Sequence, residues 1–101
     1  MSNVSIVHDP AAGRYRLLLD GAEIGVAEYD AIGDTSVLVK HVEVSTAHEG
    51  KGYASRLVRH VLDDVRGRNL SVVPICPYTV AFIRKHREYV DLVREDMRNT
   101  M

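Results

Sequence analysis

A single cysteine, one phenylalanine, three prolines and no tryptophan stand in these 101 residues. The lone Cys76 has no partner for an internal disulfide, so a reducing cytoplasm is the expected compartment. No run of about 18 apolar residues occurs, which excludes a membrane-spanning helix and leaves no role for a membrane. The start, Met1-Ser2-Asn3-Val4, lacks the basic-then-apolar pattern of a secretory leader. Neither sign of charge prevails: 13 basic and 14 acidic side chains leave a net charge of −1, which argues against nucleic acid as a bulk partner. His8, His48, His60 and His86 share no ligand spacing with one another or with a second cysteine, so no metal site is expected. They read as surface or loop residues.

What is present is an ordinary globular balance, 46% hydrophobic and 27% charged, without repeats or low-complexity stretches. It suits one domain over residues 1–101, with a core over about 4–93 and a polar C-terminal tail from Arg94. A monomer or weak homodimer is expected. The charge is unevenly placed: residues 1–50 carry 3 basic and 8 acidic side chains, residues 51–101 carry 10 and 6. A basic second half suits an anionic ligand, although Arg66, Arg68, Arg94 and Arg98 read as solvated helix ends.

The first half alternates with a period of two. Residues 4–8 form a weak strand closed by the turn cluster Asp9-Pro10-Ala11-Ala12-Gly13. Tyr15, Leu17 and Leu19 share one face of the next strand. Asp20-Gly21 is a hairpin signal, because glycine takes positive φ without a Cβ clash. The return strand covers Ala22–Tyr29, and after a loop at 30–35 the β-branched run Val37–Val44 forms a fourth strand. The period then changes to that of a helix: Ala54, Leu57, Val58, Val61, Leu62 and Val65 form one stripe, with Gly67 placed to end it in a left-handed turn. Leu70–Ile75 reads as a short buried strand ending near Pro74. A second helix covers about Tyr78–His86, and a last short helix includes Tyr89–Val93. The order ββββ-α-β-α predicts an α+β domain, a twisted mixed sheet with helices packed on it.

The chemistry concentrates at the junction Glu49-Gly50-Lys51-Gly52-Tyr53-Ala54, between the fourth strand and the long helix. Two glycines one residue apart let consecutive amides turn to one point, and a helix N-terminus adds partial positive charge. The result is a nest for phosphate, with Lys51 available for a further contact. The spacing is neither that of a P-loop nor of a dinucleotide fingerprint. With Val42-Glu43-Val44 before it and Ser55-Arg56-Leu57-Val58 after it, the tract resembles the acetyl-CoA-binding motif of the GNAT acetyltransferase superfamily. The later Val73-Pro74-Ile75-Cys76-Pro77-Tyr78, Phe82 and Lys85-His86-Arg87-Glu88-Tyr89 extend the likeness to the small stand-alone branch with a Cys-Pro-Tyr motif.

The resemblance implies a minimal GNAT-like fold and an acetyl-CoA or coenzyme A ligand. It implies that the amides of Glu49 to Ala54 hold the CoA pyrophosphate, and that Val42 and Val44 line the pantetheine arm. Ala47 stands where the superfamily commonly has Gln or Arg, which removes one side-chain contact and leaves the backbone nest. The implied catalytic pair is His41 and Cys76, His41 as the base toward an incoming amine and Cys76 near the thioester. Glu43 competes with His41 as base, and strict alternation puts the two on one face. Tyr78 reads as the acid for the leaving thiolate or as a core anchor, and Lys85 as a contact to the 3′-phosphate or a solvated helix end. The implied activity is acetyl transfer to a small or protein amine, by direct attack or through an acetyl-Cys76 intermediate. The alternative is a CoA-binding sensor or interaction module with vestigial catalysis.

Overall fold

The computed structural model describes residues 3–101; Met1 and Ser2, at the start read above for a leader, lie outside the described residues. Five strands, β1 (Val4–Asp9), β2 (Arg14–Leu19), β3 (Ala22–Ile32), β4 (Ser36–Val44) and β5 (Ser71–Pro74), form one sheet in chain order. The first four are antiparallel and β5 joins β4 in parallel. Two helices follow the expected order, α1 (Tyr53–Gly67) between β4 and β5, and α2 (Pro77–Lys85) after β5. The fold is the α+β mixed sheet that the pattern predicts.

Local chemistry explains most boundaries. At the β2–β3 hairpin Asp20 and Gly21 take φ of 51° and 85°, the two left-handed positions that match strand twist. The stripe on α1 buries Leu57, Val58, Val61, Leu62 and Val65 against the sheet. Pro77 opens α2 at a position whose missing N–H costs nothing. The expected end of α1 is corrected: Gly67 is its last helical residue, and the left-handed turn falls on Asn69 at φ 59°. Asparagine tolerates that region better than most residues, and it shifts the exit toward Leu70. The last segment winds as 3-10 helix over Arg87–Leu92, then bridges Val93 to Val72. The polar tail forms another 3-10 turn, Glu95–Thr100, and sets Met97 and Met101 against the core.

Both helices pack on one face of the sheet. Tyr15, Leu17, Ile24, Ala27, Val37 and Val39 point to that side and join the buried α1 residues, Phe82 and Ile83 in a single cluster. On the other face Arg14, Glu28 and His41 stand in register across β2, β3 and β4, as do Arg16, Val26 and Glu43. A bulge sets this register. Glu28 pairs with His41 and Tyr29 with Val39, so Lys40 is an extra residue in β4. Before it Val37 and Val39 face the helices; after it Val42 and Val44 do, and His41 and Glu43 turn outward.

The arginines expected as solvated helix ends are largely exposed, and they are also paired. Arg66 makes two bonds to the Asp91 carboxylate at 3.0 and 3.1 Å, and Arg68 reaches Asp64 at 2.9 Å. Arg94 holds Asp96, and Arg98 donates to the Val93 and Asp91 carbonyls. His8, expected at the surface, stacks on Tyr15 at 4.2 Å and meets the Tyr29 hydroxyl at 2.5 Å. Tyr15 in turn donates to Asp64 at 2.5 Å, tying β1, β2 and β3 to the last turns of α1.

Candidate functional site

The strands β4 and β5 part where pairing stops. Their last matched pair is Val39 with Pro74, and the N–H groups of Ile75 and Cys76 both donate to the Val39 carbonyl at 3.3 Å. Beyond this apex β4 runs on for five residues with β3 on one side and no strand on the other. Ser45 N–H donates to the Ile24 carbonyl on β3, so by the period of two Val44 and Val42 aim their amides away from β3. They face the gap that β5 leaves.

The loop after β4 brings a second set of amides to the same place. Thr46–His48 makes a short 3-10 turn, and Gly50 and Gly52 then take φ of 77° and 81°. A Cβ at either glycine would meet nothing within 4 Å, so the requirement for glycine is the backbone angle and not crowding. Gly52 caps α1 with no side-chain hydrogen bond, and the first helical bond runs from Arg56 N–H to the Gly52 carbonyl. The N–H groups of Tyr53, Ala54 and Ser55 therefore lie ahead of the ladder at the positive end of the helix.

Between these two sets of amides lies a cleft of about 720 Å³. Of the residues singled out in the sequence, Val42, Val44, Glu49, Gly50, Gly52, Tyr53, Ala54 and Tyr78 line it, and so does Glu43. Tyr78 is 41% exposed, which makes it a wall residue and not the core anchor of α2. Past Tyr78 lies a groove of about 250 Å³ between Ser55, the α2 residues Ala81, Phe82 and Lys85, and His86 just after the helix. Lys85 thus belongs to an extension of the cleft, while Lys51 does not line it.

Neither member of the expected catalytic pair lines the cleft. Cys76 is the N-cap residue of α2, 5% exposed, with its thiol making no cap bond. The hydrogen bond of its own N–H to Val39 turns it into the apex of the split and buries it there. His41 stands more than half exposed on the outer face, its Nε2 3.3 Å from the Glu43 carboxylate. The bulge at Lys40 gives both side chains the same outward direction, and Glu43, two residues nearer the loop, is the one that reaches the cleft.

Sequence reasoning missed Ser45, Thr46 and His48, which also line the cleft. His48, expected as a surface or loop histidine, has its ring edge-on to Tyr53 at 6.2 Å and its Nδ1 buried without a hydrogen-bond partner. The signal available was position: Ser45-Thr46 follow a strand that ends in the gap, four to five residues before the first loop glycine. The cleft wall itself carries two carboxylates, Glu43 and Glu49, and its cationic side chain lies in the groove beyond Tyr78. Attraction for an anion at the glycine loop therefore comes from backbone amides.

Residues 14–92 match the sequence model of a family described as GCN5-related N-acetyl-transferase. The chain is 26% identical over 86 residues to Protein NATD1 of Xenopus tropicalis, covering 84% of this chain and 79% of that one. Its fold is shared with a GCN5-like protein of Staphylococcus aureus solved by NMR, at a TM-score of 0.71 and 21% identity, over 93% of this chain and 91% of that chain. It is shared also with a GNAT family acetyltransferase from Elizabethkingia anophelis solved with acetyl-CoA bound, at 0.62 and 12% identity, over 87% of this chain and 74% of that one.

Proposed function

The chain belongs to the GCN5-related N-acetyl-transferase family, and from that premise we propose that it is an acetyl-CoA-dependent N-acyltransferase acting on an amine. The observation that carries the reading is the convergence of two unclaimed sets of amides, at Val42 and Val44 and at the start of α1, on one cleft. The residues present fit the ligand: an uncapped helix start with two left-handed glycines suits a diphosphate, and a free strand edge suits an extended amide-bearing arm.

Bound acetyl-CoA supplies an acetyl thioester, whose carbonyl carbon becomes an amide carbon as the C–S bond breaks. In this reading the amides of Gly50 to Ala54 hold the pyrophosphate, and Ser55, Lys85 and His86 flank the nucleotide end. Val42 and Val44 fix the pantetheine arm by main-chain hydrogen bonds, which supplies orientation. Glu43, at the cleft wall, takes the proton from the attacking amine, and the Tyr78 hydroxyl gives one to the departing thiolate.

Titration calorimetry with CoA and an acetyl-CoA assay for free thiol over a panel of amines test the proposal. Binding with amine-dependent thiol release is expected; absence of CoA binding overturns it. One observation favours a second reading, a CoA-binding module without turnover: Cys76 and His41 both lie outside the cleft wall. Binding with no thiol release for any amine would select that reading.

A further inference from the structure

The cofactor cleft has a second extension, away from the helices. A shallow groove of about 200 Å³ is lined by Glu23, Ile24, Gly25, Val26, Glu43 and Ser45. Glu43 and Ser45 line both cavities, so the groove adjoins the cleft at those two residues. The junction is held firmly: Ser45 N–H donates to Ile24 at 2.7 Å, and Glu43 and Val44 pair in register with Val26 and Gly25. The cleft is thus flanked by a groove with basic side chains beside α2 and by an acidic end on the open face of the sheet.

Size and charge select what the acidic end takes. Its volume lies below the roughly 300–1,000 Å³ of pockets that enclose whole drug-sized molecules, which suits a small acceptor. Two carboxylates, Glu43 at the junction and Glu23 at the outer wall, bound it. The Glu23 carboxylate is steered by Arg16 at 2.6 Å and that of Glu43 by His41 at 3.3 Å, which holds both on the same face as the groove.

We propose that this groove is the acceptor site and that the acceptor is an aliphatic diamine, entering with one cationic nitrogen toward Glu43, its chain along Ile24–Val26 and its second nitrogen toward Glu23. The inference rests on the acyltransferase reading and narrows it to a substrate class. An amine arriving this way meets the cleft at the carboxylate that receives its proton.

The test uses 15N-labelled protein saturated with CoA and titrated with 1,4-diaminobutane, 4-aminobutanoate or benzylamine. Saturable shifts at the amides of Ile24–Val26 and Glu43–Ser45 are expected with the diamine alone. Glu23→Gln should weaken that binding severalfold, and Glu23→Lys tenfold or more, with CoA affinity unchanged. In the acetyl-transfer assay the diamine should exceed the other two amines at least tenfold in kcat/KM. Shifts absent or elsewhere, equal binding of the three amines, or indifference to both Glu23 variants would overturn the acceptor site while CoA binding stands. Failure of CoA itself to bind removes the acyltransferase reading, and this inference with it.

Discussion

The two ends of α1 are built on opposite principles. At its C-terminal end nearly every polar side chain has a partner: Asp64 takes Tyr15 and Arg68, Asp63 takes Tyr89, and Arg66 takes Asp91. Arg59 and Arg66 lie over the Tyr89 ring. At its N-terminal end the cap is a glycine without a side chain, the amides point to a cleft, and His48 keeps an unpartnered ring nitrogen. One helix therefore carries a closed end that fixes the fold and an open end whose amide donors face a cleft. The difference teaches where stability and binding should separate.

The largest effect belongs to the closed body of the helix. Leu62 is fully buried in the core cluster, and Leu62→Ala should cost about 2–5 kcal/mol, a large share of what a domain this size has. Urea unfolding measures it. CoA affinity per folded molecule should stay as in the wild type, and a parallel loss of affinity would break the separation of the two ends.

At the open end the reverse is expected. Gly52→Val forces a β-branched residue into the left-handed region, worth about 1–2 kcal/mol of strain, with no neighbour to clash with. The loop then relaxes out of the nest, so CoA affinity should fall tenfold or more while unfolding shifts only modestly. Calorimetry on the folded variant decides: unchanged affinity would take the glycine loop out of the site.

How much of this was legible beforehand divides along the same line. The stripe Leu57–Val65, the Asp20-Gly21 turn and the strand order follow from spacing and local conformation, and those are properties of neighbours in sequence. The glycine loop was legible for the same reason, since Gly50 and Gly52 declare their backbone angle. The placement of His41 and Cys76 relative to the cleft was not. Which face His41 and Glu43 share depends on one extra residue, Lys40, in the β4 ladder, and no alternation pattern marks a bulge opposite Glu28. Cys76 next to a helix start looked poised, yet its burial is set by the Val39 carbonyl 37 residues away in sequence. The pairings of Arg66 and Arg68 are likewise tertiary and leave no trace in composition.

The two carboxylates on the cleft wall sharpen the comparison. Glu49 lies directly before the nest and opposes an anionic ligand there. Glu49→Gln should raise CoA affinity severalfold, more at low salt than at high, because exposed charges are screened over about 8–10 Å at physiological ionic strength. Lower affinity in the variant would show that Glu49 orients the loop instead.

The smallest effect is a change of slope with pH at the closed end. Burial lowers the His8 pKa, and the Arg68 guanidinium 3.1 Å from its ring lowers it further, against the pull of Asp64 and Asp9. An unfolded histidine titrates near about 6.5, so as pH falls below that value the unfolded chain takes up a proton that the folded state refuses. The stabilisation is full above that pH and is lost as pH drops toward the folded value. Asp64 has the same sign in a lower window: burial would raise it, but the Tyr15 hydroxyl and Arg68 outweigh burial and hold the carboxyl below its ordinary range. That contribution is present above the unfolded value of about 3.9 and disappears as pH falls through the folded one. His8→Phe keeps the stack on Tyr15 while removing the titrating ring and its bond to Tyr29. The variant should melt lower at pH 8 yet lose less on going from pH 8 to 5, and it should bind CoA like the wild type. Parallel melting curves across that range would mean that His8 keeps its solvent-like titration and that the closed end is less closed than its geometry implies.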